Sequence, residues 1–151
     1  MIRVGWILLF PAAMAAGMAL TTQFAVNSQL RNVVGGPVMA AAISFIIGAL
    51  ALTAIALIVD RNLPQIDQVI GSPWWVWTGG ILGAFFVLSS IVLTPRLGAA
   101  ATVGLFLAGQ MIASVVIDHF GLLGAAVNEA TLLRLLGVAL VLGGVFLVQR
   151  F

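Results

Sequence analysis

Four polar side chains lie inside apolar stretches, at spacings that place them in pairs. Gln23 and Asn27 are four residues apart in the first stretch, and Gln110 and Ser114 are four apart in the fourth. Residues at this spacing share one face of an α-helix. An amide without a partner in hydrocarbon is costly, so we expect these two faces either to hydrogen-bond to each other or to line a polar cavity.

Titratable chemistry is sparse. Asp118 and His119 are adjacent at the end of the fourth stretch; they are either a proton-linked pair or an ordinary helix end at the membrane surface. No charged residue or histidine lies near the middle of an apolar stretch, which disfavours a proton-coupled cation antiporter built on a buried carboxylate. With one histidine, four acids and no cysteine, we expect no metal site, no cofactor and no enzyme activity.

The composition is that of a membrane protein. Of the 151 residues, 63% are hydrophobic and 7% are charged, and the mean hydropathy is +1.26. Soluble domains carry about 25% charged residues, so a soluble fold is excluded. The formal charge of +2 comes from six arginines against four acids, too sparse a distribution for a nucleic-acid surface.

Five stretches are long enough to cross a bilayer as helices, for which about 20 residues suffice. They cover about residues 4–30, 37–59, 73–94, 99–117 and 131–148. The sequence thus predicts an all-α, multi-pass membrane protein with one five-helix domain over 1–151. Prolines are expected at two helix starts (37 and 73), in two loops (64 and 95) and at a kink in the first helix (11). A signal peptide ending near Ala15 is the alternative for the N-terminus, but the apolar run continues well past that point.

The arginines divide evenly between the two membrane faces that five spans predict. The side of the N-terminus holds one set of three and the opposite side the other: Arg3, Arg61 and Arg134, against Arg31, Arg96 and Arg150. Because arginine and lysine in short flanking loops set orientation, an even split predicts that the chain inserts both ways, unless a weak bias still fixes one orientation. Insertion both ways favours an antiparallel homodimer of ten helices, an inverted pair of the kind found within many transporters.

Small residues at four-residue spacing predict close helix contacts in lipid. The fourth span has the least interrupted series, with Gly104 and Ala108 followed by Gly109 and Ala113. Most such positions are expected to pack helices within one copy. We expect the fourth span to contribute the seam of the dimer.

Tryptophans gather on the predicted side of the N-terminus. Trp74, Trp75 and Trp77 begin the third span, and Trp6 lies near the start of the first. We interpret them as interfacial anchors; the alternative is a stacking surface at a cavity mouth.

Several segments resemble one family. The run from Trp74 to Gly80 and the run from Pro95 to Ala100 resemble the drug/metabolite transporter superfamily, and 108–114 with 118–121 resembles its YdcZ-like branch of five-helix bacterial membrane proteins. The segments 23–30 and 134–145 are similar too. The resemblance implies a half-transporter in the bacterial inner membrane, found as single dual-topology chains, as oppositely oriented pairs or as fused ten-helix proteins. Small multidrug-resistance relatives carry a Glu in the first helix for proton exchange, and this chain has only Gln23 and Asn27 there, which disfavours proton-coupled export of cationic drugs.

The expected function is therefore transport of a small solute by alternating access. Gln23, Asn27, Gln110 and Ser114 are expected to line the cavity, which suits a neutral or zwitterionic metabolite better than a bare ion. The expected partners are the lipid bilayer, a second, antiparallel copy and the solute, with no nucleic acid. Two alternatives stay open: a dual-topology ion channel, and a non-transporting accessory subunit paired with a different chain.

Overall fold

A computed structural model describes residues 3–59 and 69–150, with side chains from residue 9 onward. In these ranges the chain is helical, with five helices long and apolar enough to cross a membrane. In chain order they are α1 (Arg3–Val34), α2 (Pro37–Val59), α3 (Thr78–Leu97), α4 (Ala99–Phe120) and α5 (Leu132–Arg150). A helix satisfies its backbone groups internally, which is the requirement for crossing hydrocarbon.

Short connections separate most of the helices, and glycine makes two of them possible. Gly35 ends α1 with φ +81° and Gly98 joins α3 to α4 with φ +85°, a left-handed backbone that costs glycine little. The 3₁₀ turn Trp74–Trp77 precedes α3 directly. A second 3₁₀ turn, Leu122–Gly124, opens the connection between α4 and α5.

The chain divides into two compact units, Met1–Pro95 and Arg96–Phe151. In the first unit a small apolar core joins α2 to α3 through Ala40, Ala41, Val87 and Ile91, of which Ala40 and Ile91 are fully buried. Leu30 and Val34 of α1 pack against this core, as do Phe86 and Leu88 of α3. The first unit is therefore held together by this core between α2 and α3, against which the C-terminal part of α1 packs.

In the second unit α4 packs along α5. The two helices are in close contact at Gly104, where a Cβ would lie 2.8 Å from Cγ1 of Val145. Small residues allow helices to pack this closely in lipid, so Gly104 serves contact within one copy, as expected for most of the small-residue positions. Gly109 has nothing within 4 Å of its virtual Cβ, and the surface around it is exposed.

The predicted span limits agree with the structure within a few residues. Where they differ most, a helix continues past the end of its apolar stretch. Helices α1, α3 and α4 each continue about one turn beyond the apolar stretch. Arg31 and Arg96 therefore lie in last helical turns rather than in loops. A polar side chain does not interrupt backbone hydrogen bonding. The prediction that Pro95 lies in a loop is wrong: α3 includes it in its last turn, where its missing N–H removes a single helical hydrogen bond. Helix α1 continues through Pro11.

Candidate functional site

The first-helix pair predicted from the sequence lies in the first unit. Gln23 is half-buried and Asn27 is only 4% exposed. The side-chain nitrogen of Asn27 has no hydrogen-bond partner within the part of the chain that the structure describes. A buried, unpaired amide costs free energy comparable to a lost hydrogen bond, so its retention in the chain calls for an explanation.

A cleft of about 330 Å³ opens between the C-terminal ends of α1 and α3. Five of its lining residues belong to α1, and two belong to the last turn of α3. The lining residues are Ala25, Ser28, Gln29, Arg31, Asn32, Thr94 and Pro95. The cleft thus presents five polar side chains in a chain that is 63% hydrophobic.

Residues that are neighbours at two levels of α1 and α3 show the relative direction of these helices. The rings of Phe24 and Phe86 meet with centroids 5.6 Å apart, and Arg31 lines the cleft with Thr94 about two turns further along both helices. Helices α1 and α3 therefore run in the same direction. The apolar pair lies about two turns before Arg31 and Thr94, which are nearer the C-terminal ends of the two helices.

Hydrogen bonding differs among the hydroxyl groups near the cleft. The Ser28 hydroxyl donates to the carbonyl oxygen of Phe24 at 2.8 Å, and the Ser90 hydroxyl donates to that of Val87 at 2.7 Å. Thr94 is 8% exposed and its hydroxyl has no partner among the described residues. The first unit thus contains two buried unpartnered groups, on Asn27 and Thr94.

The fourth-helix pair lies in the second unit. The Gln110 side chain is exposed on α4, and Ser114 is half-buried. The Ser114 hydroxyl donates to the carbonyl oxygen of Met111 at 3.0 Å, so its own helix satisfies it. The two predicted pairs belong to different units, and a single cavity lined by all four residues stays a prediction.

Asp118 and His119 organise the connection between α4 and α5. The Asp118 carboxylate pairs with Arg134, and its backbone oxygen accepts the N–H of Asn128 at 2.8 Å. Nδ1 of His119 accepts the N–H of Ala130 at 3.2 Å. Both side chains thus attach this connection to the end of α4; whether either one carries a proton during transport stays a prediction.

The third-span tryptophans form one exposed group. Trp74, Trp75 and Trp77 are 79%, 39% and 58% exposed in the 3₁₀ turn that begins the span. Trp6 belongs to α1, but its side chain lies outside the described residues. Whether these exposed rings anchor the span at the membrane interface stays a prediction.

Sequence reasoning missed the lining of this cleft, because none of the four predicted cavity residues is among its lining residues. Arg31 follows Gln23 and Asn27 at the same four-residue spacing, so the polar face of α1 continues to the end of the helix; we counted this residue only as an orientation marker. Thr94 gave no signal by itself, because a single threonine near a helix end usually bonds to its own backbone.

Five helices long and apolar enough to cross a membrane define an integral membrane protein, and the comparisons with known proteins agree. Residues 8–147 match the family described as "Putative inner membrane exporter, YdcZ", and the chain belongs to this family. It is 27% identical over 137 residues to the inner membrane protein YdcZ of Escherichia coli (strain K12), covering 90% of this chain and 91% of that protein. No solved structure matches the chain.

Family membership confirms three predictions: the YdcZ-like resemblance, the inner-membrane location and the multi-pass architecture. The family is described as one of exporters, which are transporters and not enzymes. The solute is the part of the function that the description leaves open.

Proposed function

We propose that this protein exports a small polar solute across the inner membrane by alternating access, working as an antiparallel homodimer. The observation that carries the proposal is the pair of buried, unpartnered polar groups on α1 and α3, one of them lining the cleft. A protein that only needed to be stable would lose nothing by having apolar side chains there. A transported solute would supply the missing hydrogen-bond partners.

The antiparallel assembly follows from the even arginine split, in which three residues flank each predicted face. In two copies of opposite orientation, the clefts would open to opposite sides of the membrane. Such a pair has two equivalent half-structures, and exchanging their conformations interconverts outward-open and inward-open states.

The exposed face of α4 supports a partner for each copy. Gln110 is exposed there beside Gly109 and Ala113, which are also exposed. An amide facing lipid is unfavourable, whereas small neighbours permit a second helix to approach closely. We assign the dimer seam to this face, with the Gln110 amides hydrogen-bonding across it or towards the solute.

Transport can be tested without knowing the solute. Proteoliposomes loaded with a defined mixture of neutral, zwitterionic and anionic metabolites are diluted, and mass spectrometry follows what leaves them. We expect saturable release of one chemical class, reduced at least tenfold by Asn27→Leu. The matched control is Leu9→Val on the exposed part of the same helix. If folded protein releases nothing faster than empty liposomes, the export proposal is wrong; release of inorganic ions at channel rates would replace it with the channel alternative.

The orientation can be tested with a single thiol, because the chain has no cysteine. Ala126→Cys places one in an exposed position of the connection between α4 and α5. A membrane-impermeant maleimide should label about half of the protein in intact cells and the remainder only after permeabilisation. Complete labelling or none would refute dual insertion and favour a differently encoded partner chain.

A further inference from the structure

The cleft between α1 and α3 is a surface of hydrogen-bond donors with one net positive charge. Arg31 contributes a guanidinium group, Gln29 and Asn32 contribute amide N–H₂ groups, and Thr94 contributes a hydroxyl. None of the described residues that line the cleft is acidic. Among the described residues Arg31 has neither an ion pair nor a side-chain hydrogen bond, whereas Arg134 has both. A donor-rich site with an uncompensated cation is complementary to an anion.

Thr94 is the second, independent observation. Serine and threonine in helices normally donate to a carbonyl oxygen three or four residues back. Ser28, Ser90 and Thr102 all do so here. Thr94 does not, although it is more than nine-tenths buried and belongs to the residues that line the cleft. Its hydroxyl is therefore a buried group beside the cleft whose hydrogen bond is not made within the described residues.

Helix ends give a competing explanation for Arg31. It lies in the last turn of α1, where the carbonyl groups carry roughly half a negative charge and attract cations. Arg96 and Arg150 occupy the same position in α3 and α5. A helix-end role requires only a positive charge and has no use for the Thr94 hydroxyl, so substitutions that keep the charge or remove only the hydroxyl separate the two explanations.

We propose that this cleft is an oxyanion site, which takes one carboxylate or phosphate group through Arg31 and Thr94. The group has two conceivable sources, the exported solute and an anionic lipid headgroup. The assignment to a solute rests on the proposed function and narrows its substrate to an acid, a phosphate ester or a zwitterion with a carboxylate.

The test measures binding in a maltoside detergent, which has neither carboxylate nor phosphate, in Tris chloride buffer. Acetate, inorganic phosphate and glycine are titrated calorimetrically, with tetramethylammonium chloride as the cation control. Native mass spectrometry compares retention of phosphatidylglycerol with that of phosphatidylethanolamine. We expect at least one oxyanion probe to bind and the cation control not to bind. Arg31→Gln and Thr94→Val should each weaken binding roughly tenfold or more, the usual effect of losing a hydrogen bond to a charged group.

Matched variants separate site effects from folding. Arg96→Gln removes an arginine from the end of α3, outside the cleft lining, and Thr102→Val removes a buried hydroxyl that bonds to its own backbone; both should bind as the original chain does. Thr94→Ser keeps the hydroxyl and should restore affinity. Arg31→Lys keeps the charge but loses the planar two-pronged donor, so it should bind more weakly than the original chain.

Each outcome decides between the explanations. Binding of acetate, phosphate or glycine supports a solute site, and retention of phosphatidylglycerol alone supports an oxyanion site for lipid. The proposal is overturned if no oxyanion probe binds to folded protein, or if Thr94→Val binds as tightly as the original chain. Because binding and export are measured separately, oxyanion binding without release from proteoliposomes refutes the export proposal alone. Solute release without oxyanion binding refutes this site alone.

Discussion

Oδ2 of Asp118 lies 2.6 Å from Nη2 of Arg134, so an ion pair joins the end of α4 to the first turn of α5. Nη1 of the same guanidinium donates to the backbone oxygen of Asn128 at 2.7 Å. Arg134, at the start of α5, thus binds both the end of α4 and the backbone at Asn128, within the connection of residues 121–131. The two side chains are 32% and 33% exposed, so solvent screens part of their attraction.

Replacing Arg134 with glutamine should lower the free energy of unfolding by about 1–2 kcal/mol, because a screened ion pair and one charged hydrogen bond are lost. The measurement is unfolding in mixed micelles with increasing dodecyl sulfate, together with protease sensitivity of the connection. Arg150→Gln, whose arginine has no ion pair among the described residues, is the control. Equal effects from both variants would show that the Asp118 pair contributes nothing beyond charge.

Gly104 should tolerate alanine poorly, whereas Gly109 in the same helix should accept it. A Cβ at Gly104 would lie 2.8 Å from Cγ1 of Val145, and one at Gly109 meets nothing within 4 Å. We expect Gly104→Ala to destabilise by about 1–3 kcal/mol through overpacking. The double variant Gly104→Ala with Val145→Ala should recover most of this loss in the same unfolding assay; no recovery would mean that the contact with α5 is not the cause.

Ile91 and Ile81 test how much the small core of the first unit contributes. Ile91 of α3 is fully buried and Ile81 of the same helix is 73% exposed. Truncating a buried isoleucine to alanine costs about 2–5 kcal/mol, and we expect the lower part of that range because the core is small. Ile81→Ala should change stability by less than about 0.5 kcal/mol. Similar losses for both variants would indicate that another chain covers the Ile81 surface.

Gln110→Leu tests the assigned dimer seam. The Gln110 side chain is exposed on α4, so leucine should leave the folded copy as stable as before. Self-association should weaken by roughly 3–10-fold, because an interhelical hydrogen bond in lipid contributes about 0.6–2 kcal/mol. Energy transfer between labelled copies in liposomes measures this, with Ile112→Leu, also exposed, as the control. Unchanged association together with unchanged export would remove Gln110 from both the seam and the site.

Hydropathy alone predicted the number of helices, because the bilayer imposes both the length and the apolar character of a span. Helix ends were less predictable: Arg31 and Pro95 were placed in loops, but backbone hydrogen bonding continues through both. The four-residue spacing found Asn27, which is buried as expected. Thr94 could not be found in this way, since its significance depends on which helix lies beside α3. The pairing of Asp118 with Arg134, 16 residues apart, likewise depends on the path of the connection.

Tryptophan fluorescence from the 3₁₀ turn Trp74–Trp77 can report the orientation of the chain in a membrane. Within the described side chains, the indole rings all belong to Trp74–Trp77, at one end of one helix. A single copy therefore carries three of its four tryptophans at one end of one helix. Two opposed copies would place one turn in each leaflet, balancing the anchoring across the bilayer. A water-soluble quencher added outside sealed vesicles would then reach about half of the fluorescence, without any label.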